Sequence, residues 1–268
     1  MICKNRILSL GGSTYDTIQF GRGKKHLVMI PGLGDGLITV KNKALVGLIL
    51  YHAYASRYTV TLISRRNELT EEADTCSMAR DQAAVMKALG IRQAHVIGVS
   101  QGGMIAQHLA ADHPQLVDRL VLVVTVPQSS SLMRANAERW VRMMEQGDRT
   151  GLMGDINEKA HPEPYLRKIR WTYPILGWSV RKSSLRRFRI QARACMSHDA
   201  RQKLGRITAP TLIIGGAEDQ TLGPEGSLLL AKAIPGSQLK IYPHQGHALY
   251  EDEKAFNRDV LHFLENHH

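Results

Sequence analysis

A chain of 268 residues, 43% of them hydrophobic, is long enough to bury a large core and too apolar to stay disordered. No apolar run reaches the roughly 20 residues that span a bilayer, and the amino terminus, Met-Ile-Cys-Lys-Asn-Arg, carries no apolar secretory segment. Three scattered cysteines, Cys3, Cys76 and Cys195, fit a reduced cytoplasm better than a disulfide framework and offer no metal-ligand spacing, so a cytoplasmic protein without a metal site is expected.

The net charge of +11 is unevenly placed: Gln128 to Ile207 holds 17 Lys and Arg against 7 Asp and Glu, a net +10. No helix-turn-helix, zinc-finger spacing or aromatic-basic platform accompanies it, which argues against nucleic acid as the partner. A basic stretch of this kind is either a set of solvated helix faces or an attractor for an anionic substrate or surface.

In chain order, Arg6–Leu10 and Ser13–Phe20 read as short strands around Gly11-Gly12, forming an antiparallel edge. His26–Ile30 is a continuous apolar strand, as in a sheet covered on both faces. It runs into Pro31-Gly32-Leu33-Gly34, followed by a helix over Val40–Ser56 and a strand over Tyr58–Ile63. A helix then opens with Thr70 as N-cap and Glu71 and Glu72 in its first turn, and ends at Leu89 before Gly90. The strand His95–Val99 and a helix closing near His113-Pro114 come next, then the strand Leu120–Val126.

From Gln128 to Arg206 the pattern is helical only, broken by glycines and prolines such as Gly147, Gly151, Pro162 and Pro174. Alternation resumes with Thr211–Gly215, a helix over Pro224–Ile234, the strand Gln238–Tyr242 and a helix over Glu253–Glu265. This predicts an α/β fold, a doubly wound and mainly parallel sheet. The core would comprise residues 1–127 and 208–268, with a helical cap inserted over 128–207 at the carboxyl edge of the sheet, where ligands bind.

The stretch richest in chemistry is Gly98-Val99-Ser100-Gln101-Gly102, on the turn from His95–Val99 into the next helix. Gly-x-Ser-x-Gly at a strand-to-helix turn is a nucleophile elbow: the serine sits in strained backbone, and side chains at the flanking positions would clash. A serine hydroxyl needs a base within reach and a third group to hold that base. Asp219 lies just past Thr211–Gly215 and His247 just past Gln238–Tyr242, both at strand carboxyl ends, the same edge as Ser100. Glu218 and His244 are their competitors, while His95 and His108 lie away from that edge. Negative charge developing on a substrate oxygen calls for backbone donors. The Gln101 N–H is one, and the Leu33 N–H, with Gly34 as alternative, is the other.

Ser100, Asp219 and His247 in that order, the run Gly98-Val99-Ser100-Gln101-Gly102-Gly103 and the strand-helix rhythm resemble the α/β-hydrolase superfamily over almost the whole chain, about Asn5 to Leu264. Gly98–Leu109 and Asp112–Val121 are most similar to its bacterial esterase, enol-lactonase and cofactor-free haloperoxidase branch. The resemblance implies hydrolysis of small carboxylic esters or lactones through a Ser-His-Asp triad and an acyl-enzyme, without a cofactor. Same-fold alternatives are a C–C bond hydrolase, a perhydrolase or a ligand-binding protein without turnover. Two departures stand out: Pro31-Gly32 where many members have His-Gly, and Ser64-Arg65-Arg66-Asn67 where many have Asp-x-Arg-Gly.

All three tryptophans, Trp140, Trp171 and Trp178, fall in the inserted segment. They either pack its helices together or line an apolar acyl pocket above Ser100. Arg167, Arg170 and Arg193 are candidates to bind a substrate carboxylate. The expected partner is therefore a small-molecule ester or lactone, anionic if the basic segment recognises it. No nucleic acid and no membrane span are expected, and the protein would be a monomer or homodimer.

Overall fold

The computed structural model describes residues 1–266; the last two residues of the expected core segment lie outside the described residues. Eight strands form one sheet: β1 (Ile2–Leu10), β2 (Ser13–Gly21), β3 (Lys25–Ile30), β4 (Tyr58–Ile63), β5 (Ala94–Val99), β6 (Val117–Val123), β7 (Thr211–Gly216) and β8 (Gln238–Tyr242). Their spatial order is β1-β2-β4-β3-β5-β6-β7-β8. β1 pairs antiparallel with β2 and β2 antiparallel with β4, whereas every neighbour from β4 to β8 is parallel. The antiparallel edge and the parallel centre are those expected from the sequence.

The central strands are apolar at consecutive positions because helices cover both faces. Val28 and Ile30 of β3 and Leu120 and Leu122 of β6 pack in one core layer with Met78, Met86, Ile105 and Leu109. Their alternates, Leu27, Met29, Val121 and Val123, pack in the other layer with Ala44, Tyr54, Phe256 and Val260. Period-two alternation therefore divides each strand between two cores.

Helix boundaries depart from expectation in three places. The stretch after β3 is two short helices, Ala44–Leu50 and His52–Ala55, rather than one over Val40–Ser56. The helix expected to open at Thr70 runs Thr75–Ala88: Asp74 caps it, accepting from Ser77 N at 2.6 Å while Ser77 Oγ bonds back to Asp74 N. Asp74, with Ser77 completing a reciprocal capping box, displaced a plausible threonine cap four residues earlier. The terminal helix, expected over Glu253–Glu265, begins only at Phe256, and a separate short helix, Leu249–Asp252, precedes it.

Between β6 and β7 stand the helices Ser131–Gln146, Arg149–Ala160, Glu163–Ile169, Tyr173–Ser179, Leu185–Met196 and Arg201–Leu204. Among the described residues no helix is long and apolar enough to cross a membrane.

Candidate active site

Ser100 joins β5 to the helix Gln101–Asp112 with φ +54° and ψ −119°, a conformation that L residues rarely adopt. The surroundings hold it there. Its N–H donates to Val123 O at 2.9 Å, and Thr125 Oγ donates to its carbonyl at 2.8 Å. Val124, between those two partners, itself has φ +42°, a conformation that β-branched residues avoid. A Cβ at Gly98 would stand 2.5 Å from Gly102 O, and one at Gly102 would stand 1.9 Å from Ile30 O. These two glycines are required by close backbone approach: the helix must start hard against the end of β3.

His247 follows β8 and Asp219 follows β7, as their sequence positions imply. His247 Nδ1 lies 2.8 Å from Asp219 Oδ2, and both residues are buried. The other carboxylate oxygen of Asp219 accepts from the N–H groups of Thr221 and Leu222 at 2.8 and 3.0 Å. The acid is thus fixed by its own loop and aims one oxygen at the imidazole. The competitors are elsewhere: His244, with a side chain 89% exposed, faces Glu218 at 3.7 Å. His95 and His108 are buried packing residues.

Ser100 and His247 both line a cavity of about 540 Å³, within the size range of small-molecule sites. Ser100 Oγ makes no hydrogen bond among the described residues; its partnership with His247 is one of shared cavity wall. Leu33, Met104, Trp140, Ile156 and Phe188 make the wall largely apolar. Ile38, Val46 and Leu50 line it while 44%, 51% and 65% exposed, so the cavity opens to solvent along that edge.

The loop after β3 crosses in front of the serine: a Cβ at Gly32 would lie 3.3 Å from Ser100 Cβ. Among the described residues neither the Leu33 N–H nor the Gln101 N–H has a hydrogen-bond acceptor. The loop is anchored by arginines. Arg65, 1% exposed, donates to the Pro31 carbonyl and, at 3.0 Å, to Gln101 Oε1. Burial draws its pKa down to about 10, with Asp35 opposing the shift. Arg187 donates to Asp35 Oδ2 at 2.6 Å, and Gln191 Nε2 reaches the same oxygen at 3.3 Å. The Ser64-Arg65-Arg66-Asn67 turn and the Pro31-Gly32 start, the two departures noted in the sequence, are therefore linked: Arg65 bonds to Pro31.

Sequence reasoning assigned Gln101 a role through its backbone alone. Its side chain is wholly buried and donates to Gln191 O at 2.7 Å, and it touches Cys195 Sγ at 3.1 Å. Cys195 also lines the cavity, but burial pushes its thiol up to about 12, so it stays a thiol at neutral pH.

Of the three tryptophans, only Trp140 lines the cavity. Trp171 and Trp178 are 71% and 82% exposed and are no part of a pocket, because the segment carrying them turns that face outward. The candidate arginines are also outside: Arg167 and Arg170 pair with Glu163, Arg170 also with Glu158, and Arg193 faces Glu71 at 3.7 Å. Lys43, missed in the sequence, is the Lys or Arg that does line the cavity; burial lowers its pKa, and no ion pair neutralises it among the described residues. Spacing could not single it out, since it follows two other polar residues on an ordinary turn.

Among the described residues one group of side chains, Cys76, His108 and Asp112, has metal-ligating chemistry, away from the cavity. The Lys203 ammonium donates to Asp112 Oδ2 at 2.5 Å and lies 3.5 Å from Cys76 Sγ. It supplies the cluster with its own cation.

Comparisons with known proteins agree with this architecture. A family model described as alpha/beta hydrolase fold matches residues 25–150 and 163–254. The 2-hydroxy-6-oxononadienedioate/2-hydroxy-6-oxononatrienedioate hydrolase of Cupriavidus pinatubonensis is 30% identical over 189 residues, covering 68% of this chain and 65% of that protein, just under two thirds of its length. Among solved structures, MGS-M2, an alpha/beta hydrolase enzyme from a Medee basin deep-sea metagenome library, superposes with a TM-score of 0.86 at 18% identity over 98% of each chain. The enol-lactonase of Burkholderia xenovorans LB400 does so with a TM-score of 0.81 at 18% identity, over 97% of this chain and all of the other.

Proposed function

Because the chain belongs to the α/β-hydrolase family and is an enzyme of the hydrolase type, we propose that it cleaves small carboxylic esters or lactones through an acyl-enzyme on Ser100. The observation that carries this reading is Ser100 held at φ +54° on the wall of a cavity it shares with His247, whose other ring nitrogen is held by Asp219 at 2.8 Å.

In this mechanism Ser100 Oγ attacks the substrate carbonyl carbon as His247 Nε2 takes the hydroxyl proton. Asp219 keeps the imidazole in the tautomer with the proton on Nδ1 and stabilises the imidazolium that forms. The N–H groups of Leu33 and Gln101, free of other acceptors, receive the oxyanion; each such donor is worth about 3 kcal/mol in other hydrolases. His247 passes its proton to the departing alcohol oxygen. A water then attacks the acyl group by the same route, releasing the acid and restoring Ser100. The segment 128–207 acts as the cap, bringing Trp140, Met153, Ile156 and Phe188 over the serine, and residues 1–127 with 208–266 are the core.

A second reading, hydrolysis of a carbon–carbon bond beside a carbonyl, draws support from the name of the Cupriavidus relative. The two are separated by assaying a graded panel of aryl esters and lactones alongside dienone substrates. Purified protein is expected to react with a fluorophosphonate probe and to cleave short esters, and Ser100→Ala to lose both signals with its melting temperature nearly unchanged. Wild-type protein that neither labels nor turns over any member of the panel would overturn the proposal.

A further inference from the structure

The segment that follows Glu163–Ile169 presents an apolar stripe to solvent. Trp171 is 71% exposed, Ile175 58% and Trp178 82%, and Pro174 between them is also exposed. The spacing of three, one and three residues puts all four on one side of a helical segment. The opposite side is fixed. A Cβ on Gly177 would stand 2.8 Å from the Thr150 backbone, and Tyr173 packs against Gly154 and donates to Glu158 Oε1 at 2.9 Å. The helix Tyr173–Ser179 is therefore clamped on Arg149–Ala160 and cannot roll its tryptophans inward.

Indole rings in water bury no apolar surface for the fold, and scattered exposed hydrophobics are common while a contiguous aromatic stripe is not. The charges around it narrow the choice of what covers it. From Pro164 to His198 the chain has nine Lys and Arg and no Asp or Glu. Arg167 and Arg170 are paired with Glu163 and Glu158, and the arginines of Leu185–Met196 face Asp35 or Glu71. Lys168 just before the stripe and Arg181 and Lys182 just after it are exposed, and among the described residues none of the three has an acidic partner.

We propose that this face docks the protein on an anionic phospholipid surface, with Trp171, Ile175 and Trp178 at the depth of the headgroups and Lys168, Arg181 and Lys182 against the lipid phosphates. Tryptophan favours the boundary between headgroups and acyl chains because its ring is apolar and its N–H is not, and unpaired cations are attracted by an anionic leaflet. A second copy of this chain fits less well, since a two-fold contact through the stripe would bring the same cations together. The docked helix lies directly on Arg149–Ala160, whose Met153 and Ile156 line the cavity, so the bilayer would face the roof of the site. Docking itself does not depend on which bond the enzyme cleaves.

The test is sedimentation of the full chain with vesicles of phosphatidylcholine alone and of an equimolar mixture with phosphatidylglycerol, at low and high salt, while tryptophan emission is followed. Expected are binding to the anionic vesicles, weakened by salt, with a blue shift of emission. Trp171→Ser/Trp178→Ser should lose affinity by about tenfold or more and lose the blue shift, and Lys168→Glu/Lys182→Glu should lose affinity comparably. Both variants are expected to keep the wild-type melting temperature and probe labelling, as neither pair lines the cavity. Equal binding to neutral and anionic vesicles, no binding to either, or a dimer in light scattering that the Trp171→Ser/Trp178→Ser variant dissociates would each overturn the proposal.

Discussion

Gln101 Nε2 donates to the backbone carbonyl of Gln191 at 2.7 Å, so the residue next to Ser100 is tied to the helix Leu185–Met196, ninety residues later in the chain. The same side chain accepts from Arg65 at 3.0 Å, and Arg65 in turn holds the Pro31 carbonyl. One buried amide thus couples the elbow, the loop in front of it and the inserted helices. Removing it leaves the wholly buried Arg65 short of an acceptor. Gln101→Leu is expected to destabilise the protein by about 2 kcal/mol, the penalty of a buried group deprived of its partner. Its backbone N–H remains, so probe labelling should persist at a reduced rate. A urea midpoint equal to wild type would show that the amide network contributes nothing.

Asp219 is the acid placed on His247, and its geometry makes a sharp prediction. Asp219→Asn keeps the shape but turns the ring toward the wrong tautomer, so kcat should fall by about a thousandfold or more with KM little changed. Glu218→Gln, on the exposed neighbour, should alter kcat less than twofold. Steady-state assays with one aryl ester decide between them; the reverse ranking would move the acid to Glu218.

Lys43 is the cation on the cavity wall, in place of the arginines singled out in the sequence. Lys43→Ala should raise KM for an ester bearing a carboxylate by about tenfold, the loss of one charge-assisted contact, and leave a neutral ester of equal length unaffected. Equal effects on both esters would mean that Lys43 does not read substrate charge.

Acid stability should be governed in part by His198, which lies 3% exposed between Thr75 and Val126. Its Nδ1 is 2.9 Å from Thr75 Oγ and its Nε2 3.2 Å from Val126 O, so the neutral ring satisfies both nitrogens. Burial draws its pKa down to about 3, helped by His108. Below about pH 6.5 the unfolded chain takes up a proton at this residue and the folded chain does not. Stability is therefore present above pH 6.5 and is lost as pH falls toward 3, by roughly 1 kcal/mol per pH unit from this residue. His95, drawn down to about 4 by burial against the opposing Asp118, adds to the same slope. Urea denaturation of wild type and His198→Gln at pH 7 and pH 5 tests this: the variant should lose less stability between the two, and parallel losses would contradict it.

The local signals in this chain were legible without coordinates. Continuous apolar strands such as Leu27–Ile30, the Gly98-Val99-Ser100-Gln101-Gly102 turn, and Asp219 and His247 each one loop past a strand depend on short-range patterning and on topology. Those forces act within a few residues, and a parallel sheet then delivers every strand end to one edge. Element ends were less legible, as Thr70 and Asp74 show, because neighbouring caps compete within a fraction of a kcal/mol.

What only the tertiary structure decided is who meets whom across long separations. Asp35 and Arg187 are 152 residues apart, and nothing in either neighbourhood marks them as partners. Lys43 faces the cavity while Arg167 and Arg170 face Glu163, although all three are basic residues in polar stretches. Trp140 turns inward, its indole N–H donating to Asp155 Oδ2 at 2.8 Å, whereas Trp171 and Trp178 turn outward because Gly177, with no side chain, seats its helix flat on Thr150. Composition sets which side chains are available, and the tight turn sets where Ser100 stands. The direction in which each helix turns its faces follows from packing, which is summed over contacts that the linear pattern does not contain.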